Sequence, residues 1–397
     1  MRLAHISDLH IDERNRLDDT MRVLAAFIAQ ARDAQVDAIL IAGDFFERRS
    51  TPAERNALAD FLLDCAGVAP VVGVRGNHDA EGDLDIFNYL PSVRIWNRPS
   101  VAPGSARGVA GSVVPLAVLT LPWFSKVALA ASLPAETSAD ETTARTIEAA
   151  GALLTCIRAE AERCRRNGLA PILIGHVQVA GSETSTGQTM IGQSVELSPG
   201  DLGSLGCAYV ALGHIHKRQN WGAVHYSGSP NRCNFGEPEA KGWNLVTIEN
   251  GELACVEFME LPAQRIVLIE RDWSNVDATD DLGAPAHSVV PDDEDVRDAL
   301  VRVRYRICPQ HLDSVDEAAI ERDLRSAGAI EVKLEAVLVH QARVRSVEIT
   351  TAADTWAKLE AYWAAAGIVV PKANRLRISS KLDEIETRQR QEVRDAA

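Results

Sequence analysis

The sequence predicts a layered α/β fold. Apolar, strand-like runs alternate with amphipathic helical runs through the first half of the chain, and several strand-like runs end in a glycine followed by a polar side chain. Alternation of this kind is typical of sheets covered by helices, and such folds place their ligand sites in the turns beyond the strand ends. With 397 residues, the chain is long enough for two or three domains.

The individual elements follow from hydrophobic periodicity and from capping residues. Strands are predicted near residues 2–7, 38–42, 71–74, 113–121, 172–174, 209–212, 223–227, 243–248 and 253–258. Helices are predicted near residues 19–34, between Thr51 and Gly67, and between Ser138 and Gly168. The second helix has the clearest start, because Thr51 and Glu54 match a capping box around Pro52. Together these elements predict a first domain of residues 1–262.

A second, smaller domain is predicted at residues 263–350. Its beginning contains an acidic stretch with proline and glycine, residues 274–298, which predicts a linker or an insertion. Strands are predicted at 301–307 and 330–334, and between them a helix that Ser314 caps.

The C-terminal residues 351–397 predict two helices. The first carries Trp356, Tyr362 and Trp363 on a short segment, and the second is rich in both charges. These aromatic side chains either pack on the second domain or belong to a helical pair that docks to a partner.

Bulk properties exclude several classes of protein. The seven cysteines are scattered without a C-x-x-C pair, which argues against a disulfide framework and against a structural zinc site. No apolar stretch approaches the roughly 18 residues that span a bilayer, and no signal-peptide pattern precedes the first strand, so we expect a cytoplasmic protein with no membrane partner. The net charge of −15 disfavours a nucleic-acid enzyme unless a local basic groove offsets it.

Five short segments with metal-ligand side chains each follow a strand-like run. They are residues 8–10, 43–44, 76–79, 175–176 and 213–216. Asp8 and His10 are two residues apart, so strand geometry would project both from one face toward one ion. The glycines that precede the ligands at positions 43, 76, 175 and 213 would permit tight turns and a close backbone approach.

The types of ligand in these segments indicate the chemistry. Carboxylates, an amide and imidazoles without a thiolate are suited to Mn²⁺, Fe²⁺ or Zn²⁺. A bridging carboxylate can hold two ions about 3.5–4 Å apart, which clamps the attacking and leaving oxygens of a phosphoryl displacement. The segments therefore predict a two-metal hydrolytic site. Its predicted donors are Asp8, His10, Asp44, Asn77, His176, His214 and His216.

His78, between Asn77 and Asp79, is predicted to act as an acid rather than as a ligand. Its imidazole can protonate the leaving alkoxide while Asp79 orients the ring through the other nitrogen, so both residues are predicted to be catalytic. His5 and His225 lie inside strand-like runs and are predicted to be structural.

The five segments resemble the motifs of the calcineurin-like metallophosphoesterase superfamily. Within it, the chain is similar to the SbcD-type DNA double-strand-break repair nucleases, relatives of the eukaryotic break-repair complex. Residues 226–237, with the run Tyr-Ser-Gly-Ser-Pro and the later Phe235 and Glu237, and the run of residues 121–123 also resemble elements of these nucleases. The resemblance covers residues 1–260 well, the small domain loosely and the tail in outline.

The resemblance implies a fold, a site and an activity. The fold is a four-layer αββα sandwich with a small α+β cap domain over the DNA groove and C-terminal helices. The implied ligands of one ion are Asp8, His10, Asp44 and His216, and those of the second are Asp44, Asn77, His176 and His214. The implied activity is Mn²⁺-dependent exonuclease and endonuclease cleavage of DNA in double-strand-break repair and recombination. The implied assembly is a homodimer that binds an SbcC-type coiled-coil ATPase through the C-terminal helices.

The chain departs from the resemblance at Glu47. Many SbcD-type nucleases have a histidine after the Gly-Asp-x-Phe element that assists exonuclease action, and Glu47 stands at that place. Phosphodiester cleavage is therefore a firmer expectation than processive exonuclease action. Arg48, Arg49 and Arg232 lie near the motifs and are candidate DNA contacts.

Two other functions stay open. A nucleotide or small-molecule phosphodiesterase or phosphatase of the same superfamily would suit the acidic net charge, because the metal chemistry does not depend on the leaving group. A non-catalytic scaffold is disfavoured, because the predicted ligands and His78 are all present.

Overall fold

The computed structural model describes residues 1–98, 100–107, 113–124, 139–185, 195–274, 295–339, 352–365 and 368–395. These residues form two units. One takes in the described residues within Met1–Arg271, Gly283–Arg304 and Asp316–Glu335, and the other takes in those within Asp272–Leu282, Tyr305–Val315 and Ala336–Ala397. Most of the predicted acidic linker, residues 275–294, lies outside the described ranges.

Strands dominate the N-terminal two thirds of the chain. In chain order they are β1 (Arg2–Ile6), β2 (Ala38–Ile41), β3 (Val71–Val74), β4 (Val93–Trp96), β5 (Ser100–Arg107), β6 (Val113–Leu121), β7 (Ala170–His176), β8 (Gln178–Val179), β9 (Glu196–Leu197), β10 (Tyr209–Gly213), β11 (Gln219–Trp221), β12 (Val224–Tyr226), β13 (Gly242–Glu249), β14 (Glu252–Glu260), β15 (Arg265–Trp273), β16 (Ala299–Ile307) and β17 (Glu331–Leu338).

The helices alternate with these strands and then form the tail. They are α1 (Leu17–Asp33), α2 (Pro52–Ala66), α3 (Ala139–Arg166), α4 (Pro199–Gly203), α5 (Glu317–Ser326), α6 (Thr355–Ala365) and α7 (Lys372–Asp395). Two 3₁₀ helices lie at Asp85–Tyr89 and Pro309–Ser314. Within the described ranges, no helix combines the length and the apolar character that crossing a lipid bilayer requires.

Two six-stranded sheets form the larger part of the molecule. The first has the order β14-β13-β1-β2-β3-β4, and its strands β1 to β4 run parallel. The second has the order β11-β12-β10-β7-β6-β5, and its central strands β12, β10, β7 and β6 also run parallel. Parallel pairing aligns the carboxyl ends of neighbouring strands at one edge of each sheet, which is where the motif segments begin.

Apolar side chains arrange these elements in four layers. Phe27 of α1 packs in a core with the outer face of the first sheet, and Ile157 of α3 packs in a core with the second sheet. Between the two sheets lies a third core, to which Leu40 and Ile172 contribute. All four side chains are fully buried. The αββα sandwich expected from the resemblance is confirmed.

Local signals predicted some helix ends correctly and others not. The capping box of α2 is confirmed, because the Thr51 hydroxyl accepts the Glu54 amide at 3.3 Å and the Glu54 carboxylate accepts the Thr51 amide at 2.7 Å. The predicted cap at Ser314 is wrong. Ser314 ends a 3₁₀ helix, and Asp316 caps α5 instead by accepting the amide of Ala319 at 2.9 Å.

His5 has the structural role that the sequence predicted. It lies on β1 of the first sheet, and its ring contacts the Tyr209 hydroxyl at 2.9 Å and donates to the carbonyl of Leu212 at 3.1 Å, both in the second sheet. Burial, together with the nearby His225, lowers the pKa of His5 to about 3, so the ring is neutral at pH 7. His5 therefore joins the two sheets as an uncharged hydrogen-bonding group.

The smaller sheet has the order β15-β16-β17, with α5 between its last two strands in sequence. The predicted strand–helix–strand pattern is confirmed, whereas β15 was not predicted. The tail contains the two predicted helices. On them, the rings of Trp356 and Trp363 lie edge to face at 5.6 Å, and the guanidinium of Arg375 lies 5.7 Å from the Trp363 ring.

Candidate metal centre

The predicted metal ligands meet where the strand ends of the two sheets face each other. Asp8, Asp44 and Asn77 follow β1, β2 and β3 of the first sheet. His176 ends β7 and His214 follows β10 in the second sheet. Since the sheets pack face to face, five segments that are distant in sequence supply one cluster of buried polar side chains.

The backbone at several of these ligands is left-handed, which the sequence analysis did not predict. φ is 56° at Asp8, 46° at His10, 51° at Asp44 and 106° at His214. Strand alternation therefore does not explain the spacing of Asp8 and His10, because β1 ends at Ile6 and both residues lie in the following turn. Non-glycine residues in this region cost about 1–3 kcal/mol each and concentrate at functional sites.

Backbone hydrogen bonds between the first two motif loops hold this conformation. The amide of Asp8 donates to the carbonyl of Gly43 at 3.0 Å, and the amide of His10 donates to the carbonyl of Asp44 at 3.1 Å. The amide of Ile11 continues the series by donating to Phe45 at 3.0 Å. The strained turns are thus stabilised by contacts between two loops rather than by local sequence.

Two glycines are required by close packing in the centre. Gly43 has φ +89°, and a Cβ atom there would lie 2.3 Å from Nδ1 of His176. A Cβ atom at Gly76 would lie 2.0 Å from the Asp44 carboxylate. The close backbone approach predicted at these glycines is confirmed.

One half of the centre is formed by His10 and His216. Their Nε2 atoms face each other at 3.1 Å. Nδ1 of His10 lies 2.6 Å from the Glu47 carboxylate, and Nδ1 of His216 lies 3.1 Å from the Glu237 carboxylate. A carboxylate at Nδ1 favours the tautomer with its proton there, which turns the lone pair of each Nε2 toward the other ring. Such an arrangement suits a cation that both nitrogens coordinate.

The other half is formed by His176, His214 and Asn77. The Asn77 carbonyl oxygen lies 2.9 Å from Nε2 of His176 and 2.8 Å from Nδ1 of His214. Nδ1 of His176 donates to the carbonyl of Ala42 at 2.8 Å, so its Nε2 carries the lone pair in the neutral ring. An imidazole lone pair that faces an amide oxygen also suits a coordinated cation.

Asp44 lies between the two halves. The same carboxylate oxygen is 3.2 Å from Nε2 of His176 and 3.9 Å from Nε2 of His10, and the other oxygen accepts the amide of His78 at 2.9 Å. Asp8 is also fixed, because its carboxylate accepts the amide of His214 at 2.8 Å and the hydroxyl of Ser7 at 2.6 Å. The position of Asp44 is that of a carboxylate shared by two ions.

Electrostatics in the centre favours positive charge. Burial opposes a charged ring at His10 and at His176, but neighbouring carboxylates, among them Glu47 and Asp44, raise the pKa of both rings to about 9. Burial likewise opposes the Asp44 carboxylate, yet the facing His176 and His10 hold the pKa of that carboxyl well below its usual range. The buried donor set, with its concentrated negative charge, fits divalent cations.

Asp79 does not take the role predicted for it. Both of its carboxylate oxygens accept backbone amides, from Phe46 at 3.0 Å and from Gly76 at 2.9 Å. Burial, and then the nearby Asp44, raise the pKa of Asp79 to about 6. The structure gives His78 a different orienting partner, because its Nδ1 lies 2.7 Å from the carbonyl of Glu47. Asp79 shapes the loops, and the orientation of the His78 ring comes from the neighbouring motif.

Glu47 is more than a solvated loop residue. Its carboxylate contacts Nδ1 of His10 at 2.6 Å and approaches Nδ1 of His78 at 3.6 Å, although the side chain is 43% exposed. A carboxylate behind a metal-binding imidazole fixes its tautomer and raises its basicity.

The segment of residues 226–237 supports His216 through Glu237. This carboxylate is fully buried and contacts Nδ1 of His216 at 3.1 Å and Nζ of Lys241 at 2.8 Å. Lys241, itself 2% exposed, also donates to the Ser229 hydroxyl at 3.0 Å and to the carbonyl of His216 at 3.2 Å. Sequence inspection did not identify the Lys241 ammonium, because only the fold places it behind the histidine.

We expect Lys241→Met to destabilise the protein by about 3–5 kcal/mol, because the buried Glu237 carboxylate loses its cationic partner. Urea unfolding measures this change. Lys217→Met is the matched control, since its ion pair with Glu183 lies at the surface and should be worth about 0–1 kcal/mol. Equal losses in the two variants would show that the buried pair has no special role.

Two of the three candidate DNA-contacting arginines are engaged within the protein. Arg48 pairs with Asp12 at 2.7 Å and with Glu54 at 2.8 Å. Arg232 donates to four backbone carbonyls, including that of Glu237 at 2.9 Å. Both arginines hold loops at the rim of the centre, whereas Arg49 is exposed.

The centre opens into a cavity of about 490 Å³. Besides the metal-ligand candidates, its lining includes Arg16, His78 and Asn234. A phosphodiester group can therefore reach the donor cluster and the imidazole of His78 from the same side.

Comparison with known proteins agrees with this geometry. The family model described as calcineurin-like phosphoesterase matches residues 1–218, which include every predicted ligand. The chain belongs to the calcineurin-like phosphoesterase family. Members of this family use divalent metal ions, so the chain is a metal-dependent phosphodiesterase with its donor cluster at the site described above.

Curated relatives of this phosphoesterase are all named as the SbcD subunit of the nuclease SbcCD. The chain is 28% identical to the protein of Escherichia coli strain K12 over 311 residues, which cover 70% of this chain and 73% of that one. It is 27% identical to the Bacillus subtilis protein over 278 residues, covering 64% and 68%, and 24% identical to the Staphylococcus epidermidis protein over 296 residues, covering 70% and 74%.

Proposed function

We propose that this phosphoesterase is the nuclease component of a DNA-end-processing enzyme that acts in double-strand-break repair. The observation that carries the proposal is the convergence of the seven predicted donors on one open cavity, in a chain similar to proteins named as the SbcD subunit of the nuclease SbcCD. The reaction is hydrolysis of DNA phosphodiester bonds by exonuclease and endonuclease cleavage.

The donors divide into two sets that share Asp44. Asp8, His10, Asp44 and His216 would hold one divalent cation, and Asp44, Asn77, His176 and His214 would hold the other. The mixed oxygen and nitrogen donors favour Mn²⁺. When bound, two such cations supply Lewis acidity at the phosphate and activate the attacking water.

His78 serves the leaving group. The Glu47 carbonyl accepts the proton on Nδ1 at 2.7 Å, which leaves Nε2 of the ring for the substrate. The side chain is 30% exposed and lines the cavity, so it can hold a proton at Nε2 and donate it to the leaving sugar oxygen. Glu47 also contacts His10, and it thereby couples the orientation of the acid to that of a ligand.

The salt dependence of cleavage tests whether DNA is the substrate. A duplex contacts several cationic groups, so we expect kcat/KM on DNA with Mn²⁺ to fall by about tenfold or more between 50 and 200 mM salt. The same enzyme should cleave bis(para-nitrophenyl) phosphate with at most about a twofold change, because this small diester displaces few counterions. A preference for small diesters, together with a salt-independent rate on DNA, would instead support a small-molecule phosphodiesterase, which the net charge of −15 favours.

The tail is the proposed docking element for an SbcC-type coiled-coil ATPase, within a heterotetramer that contains two copies of this chain. α6 and α7, with the link between them, expose apolar side chains although Trp363 is buried. Their exposed fractions are 44% for Tyr362, 91% for Val369 and 69% for Leu376. Exposed aliphatic groups on a helical pair suit a helical partner.

We expect the double variant Val369→Asp, Leu376→Asp to lose most of its affinity for the ATPase, because charges would then have to be buried at the interface. Co-purification or titration of the two proteins measures this loss. Leu268→Asp is the matched control, since Leu268 is 49% exposed on β15 and outside the tail. Normal binding by the double variant would place the docking surface elsewhere.

A further inference from the structure

A thiol stands beside the histidine pair of the metal centre. Sγ of Cys233 and ring nitrogens of His10 and His216 all lie within 4.8 Å of one another. Cys233 also lines the cavity and is partly exposed. The proposed catalytic donor sets do not use it, and they contain oxygen and nitrogen donors alone.

A single carboxylate holds the thiol and one of the histidines in place. One oxygen of Glu237 contacts Nδ1 of His216 at 3.1 Å, and the other accepts the amide of Cys233 at 3.0 Å. Arg232, next in sequence, is fixed by its bonds to four backbone carbonyls. The position of Cys233 relative to His216 is therefore determined by buried hydrogen bonds and not by a free loop.

The two imidazoles supply an independent indication of a cation at this point. The carboxylates of Glu47 and Glu237 keep the protons of His10 and His216 on Nδ1, and the Nε2 atoms face each other at 3.1 Å. A thiolate added to two imidazole nitrogens makes a soft donor set, which Zn²⁺ and Cd²⁺ prefer over Mn²⁺.

We propose that Cys233, His10 and His216 form a soft three-donor subsite at one edge of the metal centre, which takes up thiophilic divalent cations in competition with the catalytic ions. When the metal–sulfur bond forms, the S–H proton of Cys233 leaves to the buffer. This inference rests on the proposed ligand roles of His10 and His216, and it does not depend on DNA being the substrate. Its consequence is inhibition by Zn²⁺ or Cd²⁺ of an enzyme that works with Mn²⁺.

Alkylation of the unmodified protein tests the subsite. N-ethylmaleimide reacts with free thiols, and peptide mass spectrometry reports the rate at each cysteine. We expect Cd²⁺ to slow the reaction of Cys233 by about tenfold or more and to leave the exposed Cys156 and Cys255 unchanged. Mn²⁺ should protect Cys233 far less. Equal protection by Mn²⁺ and Cd²⁺ would mean that a bound ion merely blocks access, and no protection by Cd²⁺ would also overturn the proposal.

Absorption spectroscopy provides a second readout that needs no activity. Cd²⁺ added to the metal-depleted protein should produce a near-ultraviolet thiolate-to-metal band. Cys233→Ser and His216→Ala should abolish the band, and the control Cys255→Ser should keep it. A band that persists in Cys233→Ser would assign it to another cysteine and refute the subsite. Because neither readout uses DNA, a protein that shows the band yet leaves DNA intact would contradict the nuclease proposal alone.

Discussion

His78→Ala is expected to lower kcat on DNA by about 10²- to 10⁴-fold while leaving the metal content of the protein close to that of the wild type. The imidazole lies at the cavity with Nδ1 held by the Glu47 carbonyl, and it does not belong to either proposed donor set. Its loss should therefore remove protonation of the leaving oxygen and little else. Steady-state cleavage with Mn²⁺ and metal analysis of the same sample measure the two effects.

The choice of substrate separates an acid from a merely structural histidine. The leaving para-nitrophenolate of bis(para-nitrophenyl) phosphate is stable without a proton, so the defect of His78→Ala should be much smaller on this diester than on DNA. His311→Ala is the control, because His311 lies on the 3₁₀ helix after β16 and outside the centre. An equal defect on both substrates, or loss of both metals, would show that His78 supports the site rather than the leaving group.

Asp44→Asn is expected to abolish the stabilisation of the protein by Mn²⁺. Asp44 is the carboxylate between the two halves of the centre, with one oxygen 3.2 Å from His176 and 3.9 Å from His10. At a free concentration of 100 times Kd, a cation bound at one site stabilises the folded state by about 2.7 kcal/mol. The wild type should show at least this gain in urea unfolding with Mn²⁺, and the variant should show almost none.

The control for Asp44→Asn is Asp12→Asn. Asp12 lines the same cavity but pairs with Arg48 at 2.7 Å and belongs to neither donor set. The Asp12 variant should keep the Mn²⁺-dependent gain in stability. Retention of two Mn²⁺ ions by Asp44→Asn would contradict the role of Asp44 as the shared ligand.

The features that could be predicted from the sequence are those that local patterns determine. A buried strand followed by glycine and a polar side chain marks a ligand at a strand end, which is how Asp44, Asn77 and His214 were identified. Four-layer packing followed from the resemblance. The capping box at Thr51 was visible because its two hydrogen bonds join residues three apart.

The features that escaped prediction depend on contacts between distant segments. The left-handed backbone of Asp8 and His10 is held by the carbonyls of Gly43 and Asp44, so the first motif alone predicts an extended strand. Asp79 follows His78 directly, yet its carboxylate turns to the amides of Phe46 and Gly76.

Basic residues illustrate the same limit. Arg232 was a candidate DNA contact because it lies near the motifs, but the carbonyls of Glu237, Glu239, Ala263 and Gln264 accept its donors. Lys241 carries an ordinary surface charge in the sequence and becomes the buried partner of Glu237 once the fold brings them to 2.8 Å.

The central claim is that this donor cluster uses divalent metal to cleave DNA, and the most direct test is cleavage of an end-labelled duplex by the purified, metal-depleted protein with and without added Mn²⁺. We predict shortening of the labelled strand only when Mn²⁺ is present and its suppression by EDTA. Intact DNA under both conditions, from a protein that binds two Mn²⁺ ions and hydrolyses a small phosphodiester, would contradict the claim.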